Sequence, residues 1–307
     1  MSKKHDDKNP PATQRCGYVA IIGRPNVGKS TLLNNILGMK LSITSRKPQT
    51  TRHQILGVKT SDNVQTIYVD TPGIHQRRGT AINKYMNRAA TSVLNDVDVI
   101  LFVVQVKQWT EEDQAIIEKL ATVNCPVLLV VNKMDKLSSK KELLPLISEL
   151  SSHYDFAEII PVSAMNGMNV DVLEQKIAPL IPENEFFYPD DQVTDRSMRF
   201  LASEIIREKL IRELGQELPY TSTVDIEKYI EDEDGLVRIH ATIYVESTGQ
   251  KAIIIGKKGA RLKSIGTAAR QDISKMIDAK VYLNLWVKVR EGWSNDERAL
   301  RGLGYSE

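Results

Sequence analysis

The octapeptide GRPNVGKS, residues 23 to 30, places two glycines, a lysine and a hydroxyl in the spacing G-x-x-x-x-G-K-S/T. It falls where the apolar run GYVAII gives way to a helical pattern, the strand-to-helix context that such a loop needs. Gly23 and Gly28 let backbone N–H groups curl around phosphate oxygens at a helix N-terminus, whose first turn also carries Thr31. Lys29 has the reach for β and γ phosphates, and Ser30 offers a hydroxyl to Mg²⁺. A glycine-rich turn that merely caps a helix needs no lysine followed by a hydroxyl.

Three further stretches share this chemistry. In NKMD, residues 132 to 135, Asp135 can accept from the N1–H and 2-amino group of guanine, Asn132 can contact N7, and the stem of Lys133 can cover the ring. Adenine would leave the carboxylate unpaired, a mismatch worth roughly 10⁴-fold, so GTP and GDP are expected over adenine nucleotides. Ser163 and Ala164 follow the run EIIPV, where the Ala164 N–H is expected to reach the guanine O6. DTPGIH, residues 70 to 75, opens with a carboxylate at a strand tip. Asp70 is expected to hold Mg²⁺ through water, with the Gly73 N–H facing a γ-phosphate. Alone, Asp70 before Pro-Gly reads as a turn-initiating residue, and its weight comes from the order of the four stretches.

The elements that would position these residues alternate. Short apolar runs (TIYVD, VDVILFVVQV, PVLLVVNK) are separated by helical stretches at 31–37, 82–94, 111–121, 142–150 and 170–180. VILFVV is apolar on both faces, as strands covered by helices on either side must be. Residues 54–59 and 64–69 around Ser61-Asp62-Asn63 suit a hairpin and hence one antiparallel edge strand. The fold class expected for residues 17–182 is α/β, a doubly wound and mostly parallel sheet with one antiparallel edge. Residues 1–16 are polar and read as a disordered start, without the apolar core of a secretory signal. PENEFFYPDDQVTD, 182–195, breaks the rhythm, so 183–195 is expected to link the two halves, with Phe186, Phe187 and Tyr188 partly packed.

Residues 196–307 change pattern, to a helix at 196–214, two alternating strands around residues 231–235, two helices and a strand at 280–290, a smaller α+β unit. Between its helices, IIIGKKGARL places Gly256 and Gly259 where backbone can approach a phosphodiester, with Lys257 and Lys258 supplying charge. Isoleucines preceding a helix, here Ile254 and Ile255, usually just pack, while Lys251, Arg261 and Lys263 extend the positive rim. G-x-x-G alone is weak, since it can simply turn between helices. Trp293, Arg298 and Arg301 read either as further RNA contacts or as packing and solvated charge.

Bulk properties exclude more than they assign. Net charge is +2 at pH 7, too small to argue for nucleic acid by itself. Cys16 and Cys125 read as free thiols, and the five histidines show no metal-ligand spacing. No apolar run approaches the roughly 18 residues that suggest a membrane span, and the start lacks a secretory signal, so a cytoplasmic protein is expected; a monomer is a separate expectation.

The four stretches in this order resemble the translation-factor-like branch of the P-loop GTPases. The resemblance makes QTTRH, 49–53, the first switch, with Thr51 as second hydroxyl ligand of Mg²⁺ and Thr50 as the competing choice. Lys29, Thr51 and Gly73 then carry the catalytic electrostatics. Ile74 departs from the Ras pattern, where a glutamine at that position orients the attacking water. Gln76 is an alternative for that task. Branch members with an asparagine in the P-loop, here Asn26, often bind K⁺ beside the phosphates, which implies K⁺-stimulated hydrolysis. The C-terminal order of elements resembles a type II KH domain, which holds about four single-stranded nucleotides with apolar side chains under the bases, and the resemblance makes Ile254 and Ile255 the platform residues. Together the halves resemble the Era family of bacterial GTPases. That resemblance implies binding to the 3′ end of small-subunit ribosomal RNA, a role in small-subunit assembly and peripheral association with the inner membrane. The alternative from the residues is a GTPase whose C-terminal domain recruits a protein.

Overall fold

The computed structural model describes residues 13–45, 47, 49–74, 80–106, 109–214 and 221–305. Six strands, β1 (Arg15–Ile22), β2 (Ile55–Ser61), β3 (Val64–Asp70), β4 (Val99–Gln105), β5 (Val127–Asn132) and β6 (Glu158–Pro161), form a sheet of order β2-β3-β1-β4-β5-β6. All neighbours are parallel except the β2–β3 hairpin. Helices α1 (Lys29–Leu37), α2 (Ala81–Ser92), α3 (Glu111–Leu120), α4 (Leu143–Ser151) and α5 (Val170–Ile177) connect them.

The reason for this form lies in the strands. Val99 to Val104 are buried on both faces, contributing alternately to two apolar clusters on opposite sides of the sheet. Gly23, Asp70, Asn132 and Ser163 all lie at or just after the carboxyl ends of parallel strands β1, β3, β5 and β6, the rim where open α/β sheets bind ligands.

The second unit has α6 (Met198–Glu213), the antiparallel hairpin β7 (Ser222–Glu231) and β8 (Leu236–Val245), α7 (Thr248–Ile255), α8 (Ala260–Ile277), β9 (Lys280–Val289) parallel to β8, and α9 (Glu297–Gly302). Its core joins Ile206 and Leu210 of α6 to Ile239 of β8, Ile254 of α7, Ile265 of α8 and Val281 of β9, so the helices cover one sheet face.

Two boundaries differ from expectation. β1 starts at Arg15, so residues 15 and 16 are not part of a disordered start; residues 1–12 lie outside the described region. Arg15 pairs with Val64 and bridges to Glu183, and Cys16 is fully buried beside Val58 and Ile67. The connecting segment is tied down along much of its length. Gln65 accepts the N–H groups of Phe187 and Tyr188, both at 3.0 Å, and donates to the Tyr188 carbonyl at 2.8 Å. Val58 N–H donates to Val193 O at 2.7 Å.

Candidate functional site

The loop after β1 needs its glycines. Gly23 has φ 148°, and a Cβ there would lie 2.4 Å from the Val103 carbonyl; Gly28 has φ 106°, and a Cβ would lie 2.2 Å from Asn132 Nδ2. The Lys29 ammonium folds over the loop and donates to the carbonyls of Gly23 (2.9 Å) and Arg24 (3.1 Å). Burial pushes its pKa down to about 8 against the pull of Asp70. It therefore stays largely protonated near neutrality, and an arriving phosphate would relieve the cost of burying that charge.

On the metal side, Ser30 Oγ donates to Asp70 Oδ2 at 2.7 Å and lies 2.7 Å from Thr51 Oγ1. Thr50 turns away, donating to the Lys47 carbonyl at 2.7 Å. Of the two threonines, the geometry brings Thr51 to the site. Asp70 is fully buried, and its Oδ1 has no hydrogen-bond partner among the described residues. Burial raises its pKa, while Lys29, Ser30 and Ser42 pull the other way. Two hydroxyls and an incompletely satisfied buried carboxylate fit Mg²⁺, which takes one or two protein ligands and completes its shell with phosphate and water. Among the described residues there is no cluster of three His, Cys, Asp or Glu that could hold a metal ion.

Gly73 rides on the phosphate loop: an added Cβ would lie 2.6 to 2.9 Å from atoms of Pro25. Ile74 N–H donates to Gly23 O at 3.4 Å, and the Ile74 side chain is buried in the apolar cluster with Val69 and Ala90. This accounts for an isoleucine at that position, which anchors the turn from beneath. His75 and Gln76 lie outside the described residues.

On the base side, Asn132 ties three segments together. Its Nδ2 donates to Val27 O (2.8 Å), while its Oδ1 accepts from the N–H groups of Lys133 (2.7 Å) and Ala164 (2.9 Å). The Ala164 N–H therefore has Asn132 as its partner, and contact with a guanine O6 would require sharing it. Ser163 Oγ donates to Asp135 Oδ1 at 2.6 Å, holding an otherwise exposed carboxylate at the rim. Lys133, with φ 66°, stretches its stem to the carbonyl of Asn26 (2.6 Å) and the side chain of Gln105 (2.9 Å), forming one wall.

In the second unit, Gly256 (φ 71°), Lys258 (φ 51°) and Gly259 (φ 78°) form the turn, with Lys257 and Lys258 exposed. A Cβ on Gly256 would lie 2.8 Å from Arg261 Cβ, so the loop closes tightly on α8. Arg261 Nη1 donates to Ile253 O at 2.6 Å, bracing that closure. Ile254 cannot lie under a base: it is fully buried in the core, and Ile255 packs against the same cluster. An apolar groove of about 360 Å³ lies instead between α8 and β9, lined by Leu262, Gly266, Leu283 and Leu285 with Lys263 and Arg270 at its edge. The sequence contained a trace of it in Gly266, a small residue that leaves space over Leu285. Trp293 is fully buried against Ile82, Leu300 and Tyr305, so it packs, while Arg298 and Arg301 are exposed.

Sequence reasoning missed the seam between the units. Arg52 and His53, which the basic run SRKPQTTRH would by itself place in a solvated loop, are buried. Arg52 Nη1 donates to Ser222 O (2.9 Å) and Tyr305 Oη (3.2 Å). The His53 ring stacks on Tyr305 with centroids 4.5 Å apart and meets Phe200 edge-on at 5.3 Å. Burial pushes the His53 pKa down to about 4, outweighing Glu204; nearby Arg207, Arg196 and Arg52 act in the same direction as burial. On α6, Arg207 holds Glu204 through contacts of 2.7 and 2.6 Å and donates to the Thr50 carbonyl. Burial would raise the Glu204 carboxyl, but the Arg207 guanidinium, together with His53 and Arg52, lowers it on balance.

The comparisons agree with this geometry over both halves. A family model described as 50S ribosome-binding GTPase matches residues 18–133, and one described as KH domain matches residues 217–294. The GTPase Era of Pseudomonas aeruginosa (strain LESB58) is 58% identical over 307 residues, covering 100% of both chains. That of Ectopseudomonas mendocina (strain ymp) is 60% identical over 291 residues, 95% of this chain and 97% of the relative. The chain belongs to the Era family of GTPases. As an Era-family member it is a GTP hydrolase that uses GTP, GDP and Mg²⁺. Among solved structures, an Aquifex aeolicus Era variant bound to GDP·AlF4⁻ has a TM-score of 0.92 at 40% identity, covering 96% of this chain and 100% of its own. Era in complex with MgGDPNP and nucleotides 1506–1542 of 16S ribosomal RNA has a TM-score of 0.92 at 41% identity and the same coverage. Among the described residues of this Era-family chain, no helix is long and apolar enough to cross a membrane.

Proposed function

We propose that the chain is a GTP-driven switch that binds the 3′ end of small-subunit ribosomal RNA and assists assembly of that subunit. The observation that carries the coupling is the shared segment 50–53. Thr51 meets Ser30 at 2.7 Å on the metal side, while its neighbours Thr50, Arg52 and His53 are held by α6 and the C-terminal residues. A γ-phosphate that orders Thr51 thereby orders a surface of the RNA-binding half. The broad GTPase model names the 50S subunit, but the full-length likeness to an Era bound to a 16S segment favours the small subunit.

In this reading Gly23, Gly28 and Thr31 hold phosphate oxygens, and Lys29 neutralises the β and γ charge. Ser30 and Thr51 ligate Mg²⁺, with Asp70 acting through water. The metal supplies charge neutralisation at the transferring phosphoryl group, and Gly73 donates to its oxygen. Asn132, Lys133, Asp135 and Ser163 select guanine, with Ala164 supporting Asn132. The Gly256–Gly259 turn clamps a phosphodiester through Lys257 and Lys258, with Arg261 and Lys263 extending its rim. Bases lie over Leu262, Leu283 and Leu285.

The test is GTP affinity and hydrolysis measured with and without the 3′-terminal 16S segment. Reciprocal tightening is expected, because coupling between binding sites is symmetric. Independence of the two ligands would remove the switch. Running the same assay in K⁺ and Na⁺ tests K⁺ stimulation through Asn26: equal rates, with an unaffected Asn26→Ala variant, would exclude it. A monomeric, cytoplasmic chain with peripheral inner-membrane contact completes the proposal on family resemblance, and is checked by sedimentation and liposome flotation.

A further inference from the structure

Asp70 receives a second hydrogen bond that the phosphate-loop motifs do not supply. Ser42 Oγ donates to Asp70 Oδ2 at 2.9 Å, beside the 2.7 Å bond from Ser30. With both hydroxyls on one carboxylate oxygen, Oδ1 is the atom left without a partner among the described residues. Ser42 is itself fully buried and fixed on both sides of its backbone. Asn34 of α1, one turn beyond Ser30, donates to Ser42 O (2.7 Å) and accepts from Leu41 N–H (2.9 Å) and Ser42 N–H (2.8 Å). The same short segment is gripped from the other unit by Glu208 of α6, which accepts from Thr44 N–H at 3.1 Å and from the Lys40 ammonium at 2.5 Å.

We propose that Ser42 is a positioning residue for the metal-side carboxylate: its hydroxyl, held by Asn34 and by the Glu208 grip, fixes the Asp70 rotamer that leaves Oδ1 for the water shell of Mg²⁺. Two bonds to one oxygen restrict rotation about the carboxylate in a way that Ser30 alone cannot, and a carboxylate already oriented binds a strongly hydrated cation without further loss of freedom. The inference rests on Asp70 being the metal-side carboxylate. It adds that the quality of this site depends on a residue of the loop that the RNA-binding half holds in place.

The experiment measures dissociation of a fluorescent GDPNP from the full chain as a function of Mg²⁺ concentration. Ser42→Ala is expected to raise the Mg²⁺ concentration that half-slows release by about tenfold, the usual consequence of losing a hydrogen bond to a charged group. Its release rate in excess EDTA should match wild type within about twofold. Asn34→Ala, which loosens the segment but keeps the hydroxyl, should shift the midpoint in the same direction by less. A wild-type midpoint in Ser42→Ala, or an equal acceleration with and without Mg²⁺, would overturn the proposal. Asp70→Ala separates the premise from the inference: if it keeps a wild-type Mg²⁺ response, the assignment of Asp70 is wrong, whereas loss of that response with an unchanged Ser42→Ala refutes only the role of Ser42.

Discussion

The nucleotide pocket and the groove proposed to take RNA are built on opposite plans. In the pocket, Lys29, Ser30, Thr51, Asn132 and Ser163 are already hydrogen-bonded to one another or to backbone, and most are buried. In the groove, Lys257, Lys258, Lys263 and Arg270 are exposed around a shallow apolar floor. A rigid ligand of fixed size can replace internal partners one for one, so a preorganised network gives it steep selectivity. A flexible polymer gains instead from counterion release and stacking, which need exposed charge and open surface. Small-molecule discrimination should therefore be brittle to single substitutions, and RNA binding should be graded.

Four measurements sharpen or break that contrast. The largest effect belongs to Asp135→Ala, which should reduce a guanine preference of about 10⁴-fold to near parity with adenine in competition calorimetry. Retained selectivity would mean that the NKMD segment does not read the base. Next comes acid. His53 is neutral in the folded chain, with its pKa near 4 against 6.5 when free. Its packing contributes fully above pH 6.5. As pH falls toward 4 only the unfolded chain takes the proton, so up to roughly 3 kcal/mol of stability is lost. Thermal midpoints should fall over that window in wild type and fall less in His53→Phe. The smallest effects lie in the groove. Lys257→Ala with Lys258→Ala should weaken single-stranded 16S RNA binding about 10- to 100-fold and reduce the salt slope by about 1.4, leaving GTP affinity unchanged. Leu285→Ser should cost only a few-fold and leave the slope intact. An unchanged slope in the lysine variant would make Gly256–Gly259 a structural turn.

Much of this was legible in advance because its signals are local. Strand and helix periodicity located every major element, and glycines at φ 148° and 106° stand where the motif demands them. The edge hairpin followed from Ser61-Asp62-Asn63 between two alternating runs. What stayed hidden depends on distant partners. Ile254 precedes the basic turn and Leu285 lies on a distant strand, and only the crossing of α8 over β9 decides that the first is core and the second lines the groove. Arg52 reads as solvated until Ser222 and Tyr305 close over it. Ser42 lies in an unremarkable LSITS run, and its role requires the tip of β3 to arrive beside it.

The cover over the first switch has a consequence for biogenesis of the chain itself. Arg52 and the Tyr305 hydroxyl that completes its surroundings are separated by 253 positions. The half that carries the nucleotide motifs is therefore synthesised well before the aromatic ring that stacks on His53, and α6, which holds Thr50 through Arg207, is made between the two. Only the finished chain carries the full set of contacts around residues 50–53.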